Sequence, residues 1–176
     1  MKKFIFVSGF SRSGKDLVAD KIESLGFVKY SFSQQLRENV ANKLSIPVTW
    51  CSYPVNNEYK TPNGQLLSEY MMNVDEREKK KDPEVWAKKI VQQILYCTSK
   101  NIVFSDWRNL HELFCVQKAF PDAEIICVRV MRREQHFSPK TDISEYGLLG
   151  FPFQYSIENI SGDYEYLTRQ INSIVL

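Results

Sequence analysis

The sequence predicts an α/β fold, a doubly wound sheet of about five parallel strands with helices on both faces. Two observations support it. Short apolar runs typical of buried strands alternate five times with segments whose apolar residues recur at helical spacing. The 176 residues, 43% of them hydrophobic, are enough for one core and too few for two comfortable domains. We therefore expect a single domain over residues 1–176.

The first strand and the first helix are joined by a glycine-rich loop. Apolar residues 4–7 precede the stretch Gly9-Phe10-Ser11-Arg12-Ser13-Gly14-Lys15-Asp16, and a helical pattern follows it. Two glycines five positions apart let the backbone N–H groups curl around a phosphate, while the helix end and the lysine ammonium add positive charge. The pattern is typical of a P-loop, so we expect residues 9–16 to bind the phosphates of ATP.

Asp16 stands where a P-loop usually has a Ser or Thr that binds Mg²⁺. A carboxylate at this position can hold Mg²⁺ directly or through a water molecule. Alternatively, it only stabilises the first helical turn through the helix dipole. The sequence leaves both readings open.

Composition and charge restrict the partners. A net charge of +2 and a pI near 8.3 are too balanced for a protein that neutralises many nucleic-acid phosphates. No apolar run approaches the length of a membrane span, and four cysteines without Cys-x2-Cys spacing favour reduced thiols. We expect a cytoplasmic protein that binds small-molecule nucleotides and neither nucleic acid nor a membrane, with a homodimer left open.

The second strand and helix are predicted over residues 27–32 and 34–44, with Ser33 as the helix N-cap. Arg37 and Glu38 lie near the start of this helix, beyond the carboxyl end of a strand, where open α/β sheets bind ligands. Ordinary solvated helix charges are the alternative.

Residues 45–81 are predicted to form an insertion. Turn formers fill 45–64, a helix is expected over 65–72, and the mixed charges of 75–81 indicate a solvated link. Asp82-Pro83-Glu84 then starts a helix whose apolar stripe includes Trp86. Trp86 suits the core better than a stacking role against a ligand.

The strand over residues 101–105 ends in Asp106-Trp107-Arg108. A carboxylate at this strand tip, in a chain with a P-loop, is expected to act with the metal or to organise the site; capping the next helix is the alternative. Arg108 suits bidentate contact with a phosphate or carboxylate. His111 is expected to be an exposed helix residue.

A late arginine pair follows the strand over residues 124–130. Arg132 and Arg133 open a polar segment, residues 132–148, which we interpret as a lid that closes over phosphates, with a plain surface loop as the alternative. A last strand ends at Asn159, and Ser161 or Asp163 caps a closing helix. P-loop, strand-tip Asp-x-Arg and late arginines together indicate phosphoryl transfer with ATP and Mg²⁺.

Motifs along nearly the whole chain resemble the deoxynucleoside monophosphate kinases of tailed phages and large DNA viruses. They are Arg12-Ser13-Gly14-Lys15-Asp16 with Ala19-Asp20, Leu36-Arg37-Glu38, Asp82-Pro83-Glu84-Val85-Trp86, Asp106-x-Arg108-x3-Glu112, Ser144-Glu145-x-Gly147-Leu148 and Ile157-x-Asn159. The resemblance implies a P-loop NTPase-type, nucleoside monophosphate kinase-like fold. It also implies ATP-dependent phosphorylation of deoxynucleoside monophosphates to diphosphates, in the host cytoplasm if the chain is viral.

The resemblance also implies roles for individual residues. It makes Arg132 a lid arginine with a catalytic role. The chemistry of the P-loop and of the strand tip, given above, assigns catalytic roles to Lys15 and Arg108 and metal roles to Asp16 and Asp106. The residues expected to contact the monophosphate are Arg37, Glu38, Gln65, Ser68, Trp86, Arg108 and Glu112. At Gln65, Ser68 and Met71 the chain departs from the family's usual residues, which bears on base choice.

Two other functions remain open at this point. Animal phosphomevalonate kinases share the Gly-Lys-Asp loop, and a P-loop module can bind nucleotide without turnover. A nucleobase acceptor is favoured by aromatic residues able to stack on a base, namely Trp86 and, from the insertion, Trp50, Tyr53 and Tyr59. We expect dTMP or dGMP as the first acceptors.

Overall fold

A computed structural model describes residues 1–132 and 146–175. Within them the strands are β1 (Lys3–Ser8), β2 (Val28–Tyr30), β3 (Asn101–Phe104), β4 (Glu124–Arg132) and β5 (Tyr155–Asn159). The α-helices are α1 (Lys15–Ser24), α2 (Phe32–Leu44), α3 (Leu67–Lys81), α4 (Val85–Leu95), α5 (Leu110–Ala119) and α6 (Tyr164–Val175). Short 3-10 helices span Val48–Cys51 and Val55–Asn57.

The five strands form one parallel sheet in the order β2-β3-β1-β4-β5. From β1 the chain crosses to β2 on one side, and from β3 it crosses to β4 on the other. The strand order therefore reverses between β1 and β3, which is where open α/β sheets bind ligands. The P-loop follows β1 and Asp106 follows β3, so both reach this point.

Two apolar layers cover the sheet. Alternate side chains of β1 point to opposite faces, so Phe4 and Phe6 pack beneath α4 and α5, whereas Ile5 and Val7 pack beneath α1 and α6. All four are fully buried. Helices on both faces confirm the predicted fold class, and they hold β1 and the loop that follows it firmly in place.

The insertion has its own apolar cluster. It consists of Val40, Ala41, Cys51, Leu67, Met71 and Val74. The prediction that residues 75–81 form a solvated link is wrong, because α3 continues to Lys81. Val74 is buried, Lys79 pairs with Asp75 one turn earlier at 2.8 Å, and the terminal lysines suit the negative end of the helix dipole.

Helix starts follow local hydrogen bonds. Ser31, rather than the predicted Ser33, caps α2, because its Oγ accepts the Gln34 N–H at 3.2 Å. Of the two predicted caps of α6, Asp163 rather than Ser161 is the one used, with Oδ1 accepting the Tyr166 N–H at 2.9 Å. Over residues 1–132 and 146–175, no helix is both long and apolar enough to cross a membrane.

Candidate active site

One cleft of about 1000 Å³ opens at the carboxyl edge of β1 and β3. The predicted site residues on its walls are Lys15, Asp16, Arg37, Glu38, Ser68, Trp86, Asp106, Arg108 and Glu112. Gln65 is not among the residues that line it; the Gln65 carbonyl accepts hydrogen bonds from the backbone and hydroxyl of Thr61. The fold thus brings together nine predicted residues that are far apart in the chain.

The P-loop has a backbone that only glycine fits well. Gly14 has φ of 91° and caps α1, and a Cβ there would collide with the side-chain amide of Asn159. That amide donates to the Ser13 carbonyl at 2.9 Å, which ties the end of β5 to the loop. A Cβ on Gly9 would lie 2.5 Å from the Val130 carbonyl. The loop is therefore packed tightly from behind.

Loop residues 9–14 are not among the residues that line the cleft, which the loop reaches through Lys15 and Asp16. Phe10 packs edge-on against Tyr146, and the Arg129 guanidinium lies 5.4 Å from the Phe10 ring. Ser13 is fully buried and its hydroxyl has no hydrogen-bond partner within the described residues, while Ser11 and Arg12 are exposed. The Ser13 hydroxyl is thus enclosed within the loop, close to Gly9.

The cations of the cleft divide into paired and unpaired groups. Lys29 is paired with Asp20, and Lys79 with Asp75. Lys15 is only 8% exposed, yet neither it nor Arg37 has a hydrogen-bond or ion-pair partner within the described residues. A buried cation without a partner is costly, so an anionic ligand at Lys15 would remove a penalty. Arg37 is half-buried and lines the same cleft.

Arg132 lies at the rim of the P-loop. Its Nη1 donates to the Arg12 carbonyl at 3.5 Å and its Nη2 to Ser161 Oγ at 2.5 Å. This places the predicted lid arginine beside the P-loop but outside the cleft lining. The rest of the predicted lid up to residue 145, including Arg133 and the Ser144-Glu145 block, lies outside the described residues.

Asp106 caps a helix, but not the one that follows it. Its carboxylate accepts hydrogen bonds from Ser31 Oγ at 2.7 Å, Phe32 N at 2.7 Å and Ser33 N at 2.8 Å. The alternative that Asp106 caps α5 is wrong, because Asn109 is the N-cap of that helix. Asp106 therefore joins the tip of β3 to the start of α2.

Asp16 is the acid with the more open carboxylate. It is exposed, lies in the first turn of α1 and lines the cleft. Residues 1–132 and 146–175 contain no group of three or more His, Cys, Asp or Glu side chains that could hold a metal. Mg²⁺ is commonly held by one or two carboxylates together with water and substrate phosphates, so Asp16 fits that arrangement.

Glu112 is a buried acid that organises the Arg108 segment. It forms a capping box with Asn109, and its carboxylate accepts the N–H groups of Arg108 and Asn109, each at 3.1 Å. Burial, with a smaller contribution from the charge of Asp106, raises the pKa of Glu112 to about 7 against these hydrogen bonds. The hydrogen bonds of the Glu112 carboxylate thus hold the backbone of Arg108 and Asn109 in place.

Among the four aromatic candidates for base stacking, only Trp86 lines the cleft, and it is buried at 4% exposure, as the predicted core role requires. Its Nε1 donates to Asp75 at 2.6 Å, and the Lys89 ammonium lies 4.9 Å from its ring. Trp50 and Tyr59 pack on each other with centroids 4.9 Å apart, and none of the three aromatic residues from the insertion belongs to the cleft wall.

Sequence reasoning missed Ser31 and Asn159 as parts of the site. Asn159 could have been found from topology, because the carboxyl ends of parallel strands meet at one edge of a sheet. Ser31 carried no signal that distinguished it from Ser33, since either serine can cap a helix at that place in the sequence. His111 is exposed, as expected.

Comparison with known proteins supports the fold. No protein-family model and no curated protein sequence matches the chain. The crystal structure of TT1252 from Thermus thermophilus is similar with a TM-score of 0.56 and 14% identity, over 99% of this chain and 96% of that one. An unliganded sugar kinase from Janibacter sp. HTCC2649 has a TM-score of 0.51 and 12% identity, over 99% and 95%.

A gluconokinase from Sinorhizobium meliloti 1021 aligns with a TM-score of 0.47 and 14% identity, over 98% of this chain and 91% of that one. At such low identities the likeness concerns the fold alone. Together with the five-stranded parallel sheet, the two stronger matches agree with the predicted P-loop kinase-like architecture.

Proposed function

We propose that the chain transfers the γ-phosphoryl group of ATP to a (deoxy)nucleoside monophosphate and forms the diphosphate. The observation that carries this proposal is the distribution of unpaired cations along one cleft. Lys15 at the P-loop and Arg37 on α2 both lack a partner within the described residues, and both line the cleft. Two anion sites in one cleft suit a donor and an acceptor that both carry phosphate.

The donor side suits the phosphates of ATP. Gly9 and Gly14 allow the loop to pack closely against Val130 and Asn159, where a Cβ would collide. Lys15 supplies an ammonium that neutralises charge on the β- and γ-phosphates. Asp16 would hold Mg²⁺, which when bound adds positive charge beside the same oxygens. We assign Arg132, at the loop rim, the role of gathering charge on the transferring group.

The acceptor side suits a phosphate monoester. Arg37 and Arg108 line the cleft and offer planar forks that match phosphate oxygens. The second pKa of a phosphate monoester is about 6, so its oxygen is already an anion at neutral pH and needs positioning more than a general base. That oxygen bonds to the γ-phosphorus as the bond to the bridging oxygen of ADP breaks.

An apolar wall beside the arginines suits a nucleobase. Trp86, Leu36, Met71 and Met72 line the cleft, and the hydrogen bond to Asp75 fixes the indole of Trp86. Phosphomevalonate offers phosphate and carboxylate but no base to place on this wall. We therefore favour nucleotides as acceptors, with dTMP and dGMP first.

Incubation with ATP, Mg²⁺ and one acceptor at a time tests the proposal, with products separated by chromatography. The acceptors are the deoxynucleoside and nucleoside monophosphates, phosphomevalonate and, because one structural neighbour is a sugar kinase, simple sugars. We expect a diphosphate from at least one deoxynucleotide. The Lys15→Ala variant, purified in parallel, controls for contaminating kinases.

Each alternative has its own outcome in this panel. Transfer to phosphomevalonate or to a sugar alone would overturn the nucleotide assignment. ATP binding without transfer to any acceptor would make the chain a nucleotide-binding module.

A further inference from the structure

The carboxylate of Asp106 is engaged by the start of α2. Oδ2 accepts from Ser31 Oγ and Ser33 N, and Oδ1 accepts from Phe32 N, all at 2.7 to 2.8 Å. Hydrogen bonds to a charged acceptor are the short, strong kind. They join segments that lie 75 positions apart in the chain at Ser31 and Asp106. We call these three hydrogen bonds the Asp106 clip.

The clip joins the two segments that carry the acceptor-side arginines. Arg37 lies in α2, one turn beyond the residues that Asp106 binds. Arg108 follows Asp106 directly after Trp107, which is fully buried and donates its backbone N–H to the Val7 carbonyl at 3.3 Å. One end of the clip is thus fixed to β1, and the other end moves with α2. The clip therefore ties the backbone segment that carries Arg37 to the segment that carries Arg108.

The clip also changes which groups are free to attract a phosphate. The first N–H groups of a helix form a ready anion site. Here Asp106 occupies the N–H groups of Phe32 and Ser33, and Ser31 Oγ occupies that of Gln34. An anion in the cleft is consequently left to the arginines rather than to the end of α2.

We propose that Asp106 is a positioning residue, which clamps the amino end of α2 to the tip of β3 and so fixes Arg37 and Arg108 at the spacing that binds the acceptor phosphate. This inference rests on the proposed function. It gives Asp106 an effect on the acceptor, whereas an acid that holds Mg²⁺ would affect the metal requirement.

Two substitutions weaken the clip in different ways. Asp106→Asn removes the charge and presents an amide to the donors. Ser31→Ala keeps the charge but removes one of the three hydrogen bonds, together with the N-cap bond from the Gln34 N–H. For Asp106→Asn we expect the KM of the monophosphate to rise about tenfold, with the KM of ATP and the Mg²⁺ concentration for half-maximal rate unchanged. Ser31→Ala should show a smaller rise in the same constant.

The double variant supplies a second criterion. Because both substitutions break one clip, their effects on the KM of the monophosphate should combine to less than the product of the single effects. Asp163→Asn is the matched control, since Asp163 also caps a helix but α6 contributes no residue to the cleft. It should leave the KM of the monophosphate unchanged.

A raised Mg²⁺ requirement in Asp106→Asn, with an unchanged KM of the monophosphate, would overturn the inference. If the wild-type chain transfers phosphate to no monophosphate, the proposed function fails separately. The clip is then tested by the double-mutant cycle on unfolding free energies, where fully additive losses would contradict it.

Discussion

The donor and acceptor sides of the cleft are built in different ways. The donor side is one continuous stretch, residues 9–16, whose shape follows from Gly14 in a left-handed conformation and Lys15 at the start of a helix. The acceptor side takes Arg37, Trp86 and Arg108 from separate elements and depends on contacts between distant positions. The shape of the donor loop is thus set largely by neighbouring residues, with Asn159 and Val130 packed behind it, whereas the acceptor side depends on tertiary contacts throughout.

The largest effect is expected from Lys15→Ala. Loss of the ammonium should lower kcat by about a hundred- to a thousandfold, because preorganised charge at the transferring phosphate is lost. The fold should remain intact, as judged by thermal unfolding. Lys21→Ala is the matched control, since Lys21 lies on the same helix outside the cleft. Activity near wild type in Lys15→Ala would contradict the assignment of residues 9–16 to binding the phosphates of ATP.

The fold and the donor side could be predicted from sequence because both follow short-range rules. Alternating periodicities gave the strands and helices, and the glycine spacing with Lys15 gave the loop. Asp163 was recognised at a helix start because capping involves residues only two or three positions apart. Contacts of this kind depend on residues that are close in the sequence, so the sequence alone can predict them. The predicted cap at Asp82 with Pro83 as the first helical residue is wrong, because α4 begins at Val85 with Glu84 as its N-cap.

The acceptor side was predicted less completely because its contacts are long-range. Nothing near Asp106 in the sequence indicates Ser31 as its partner, and nothing near Gln65 indicates that it lies off the cleft wall. Residues 75–81 were predicted to be a link because all of them are charged. The sequence did not show that Val74 is buried or that Asp75 and Lys79 pair along a helix. The aromatic residues of the insertion were proposed to stack on a base, yet of the four candidates only Trp86 lines the cleft.

The next effect concerns the pH dependence of the unfolding free energy, to which the buried Glu112 contributes on the acceptor side. The pKa of Glu112 is raised from its ordinary 4.5 to about 7, so the folded chain binds more protons than the unfolded chain between these values. Stability therefore falls as pH rises through this window and levels off above it, by about 3 kcal/mol in all from this group. Glu112→Gln should flatten this fall, because the amide stays neutral and can still accept at the capping box.

Urea unfolding at several pH values measures that slope. Glu165→Gln is the matched control, because Glu165 also lies in a first helical turn but is exposed. The control should keep the wild-type dependence on pH. If the unfolding free energy of Glu112→Gln changes with pH as much as that of the wild type, the pKa of Glu112 is not the cause of the dependence.

A smaller, selective effect is expected from Arg108→Lys. The lysine keeps the charge but loses the planar fork, so the KM of the monophosphate should rise about tenfold while the KM of ATP changes little. Arg77→Lys is the control, since Arg77 lies on α3 beside Glu78 and outside the cleft. If both constants rise together, Arg108 belongs to the donor side and the division between the two sides fails.

The smallest effect is expected at Asp16. It tests whether the donor side needs a carboxylate for Mg²⁺ in addition to its glycines and Lys15. If Asp16 holds Mg²⁺, Asp16→Ala should raise the metal concentration for half-maximal rate severalfold, and Asp16→Ser should partly restore it, because a hydroxyl is also an oxygen ligand. Glu23→Ala, on the same helix but outside the cleft, should leave that concentration unchanged. If the metal dependence is unchanged in both Asp16 variants, only the helix-dipole role remains. Asp16→Ala should then lower the free energy of unfolding by about 0.3–1 kcal/mol, because a carboxylate in a first helical turn stabilises the helix by that amount.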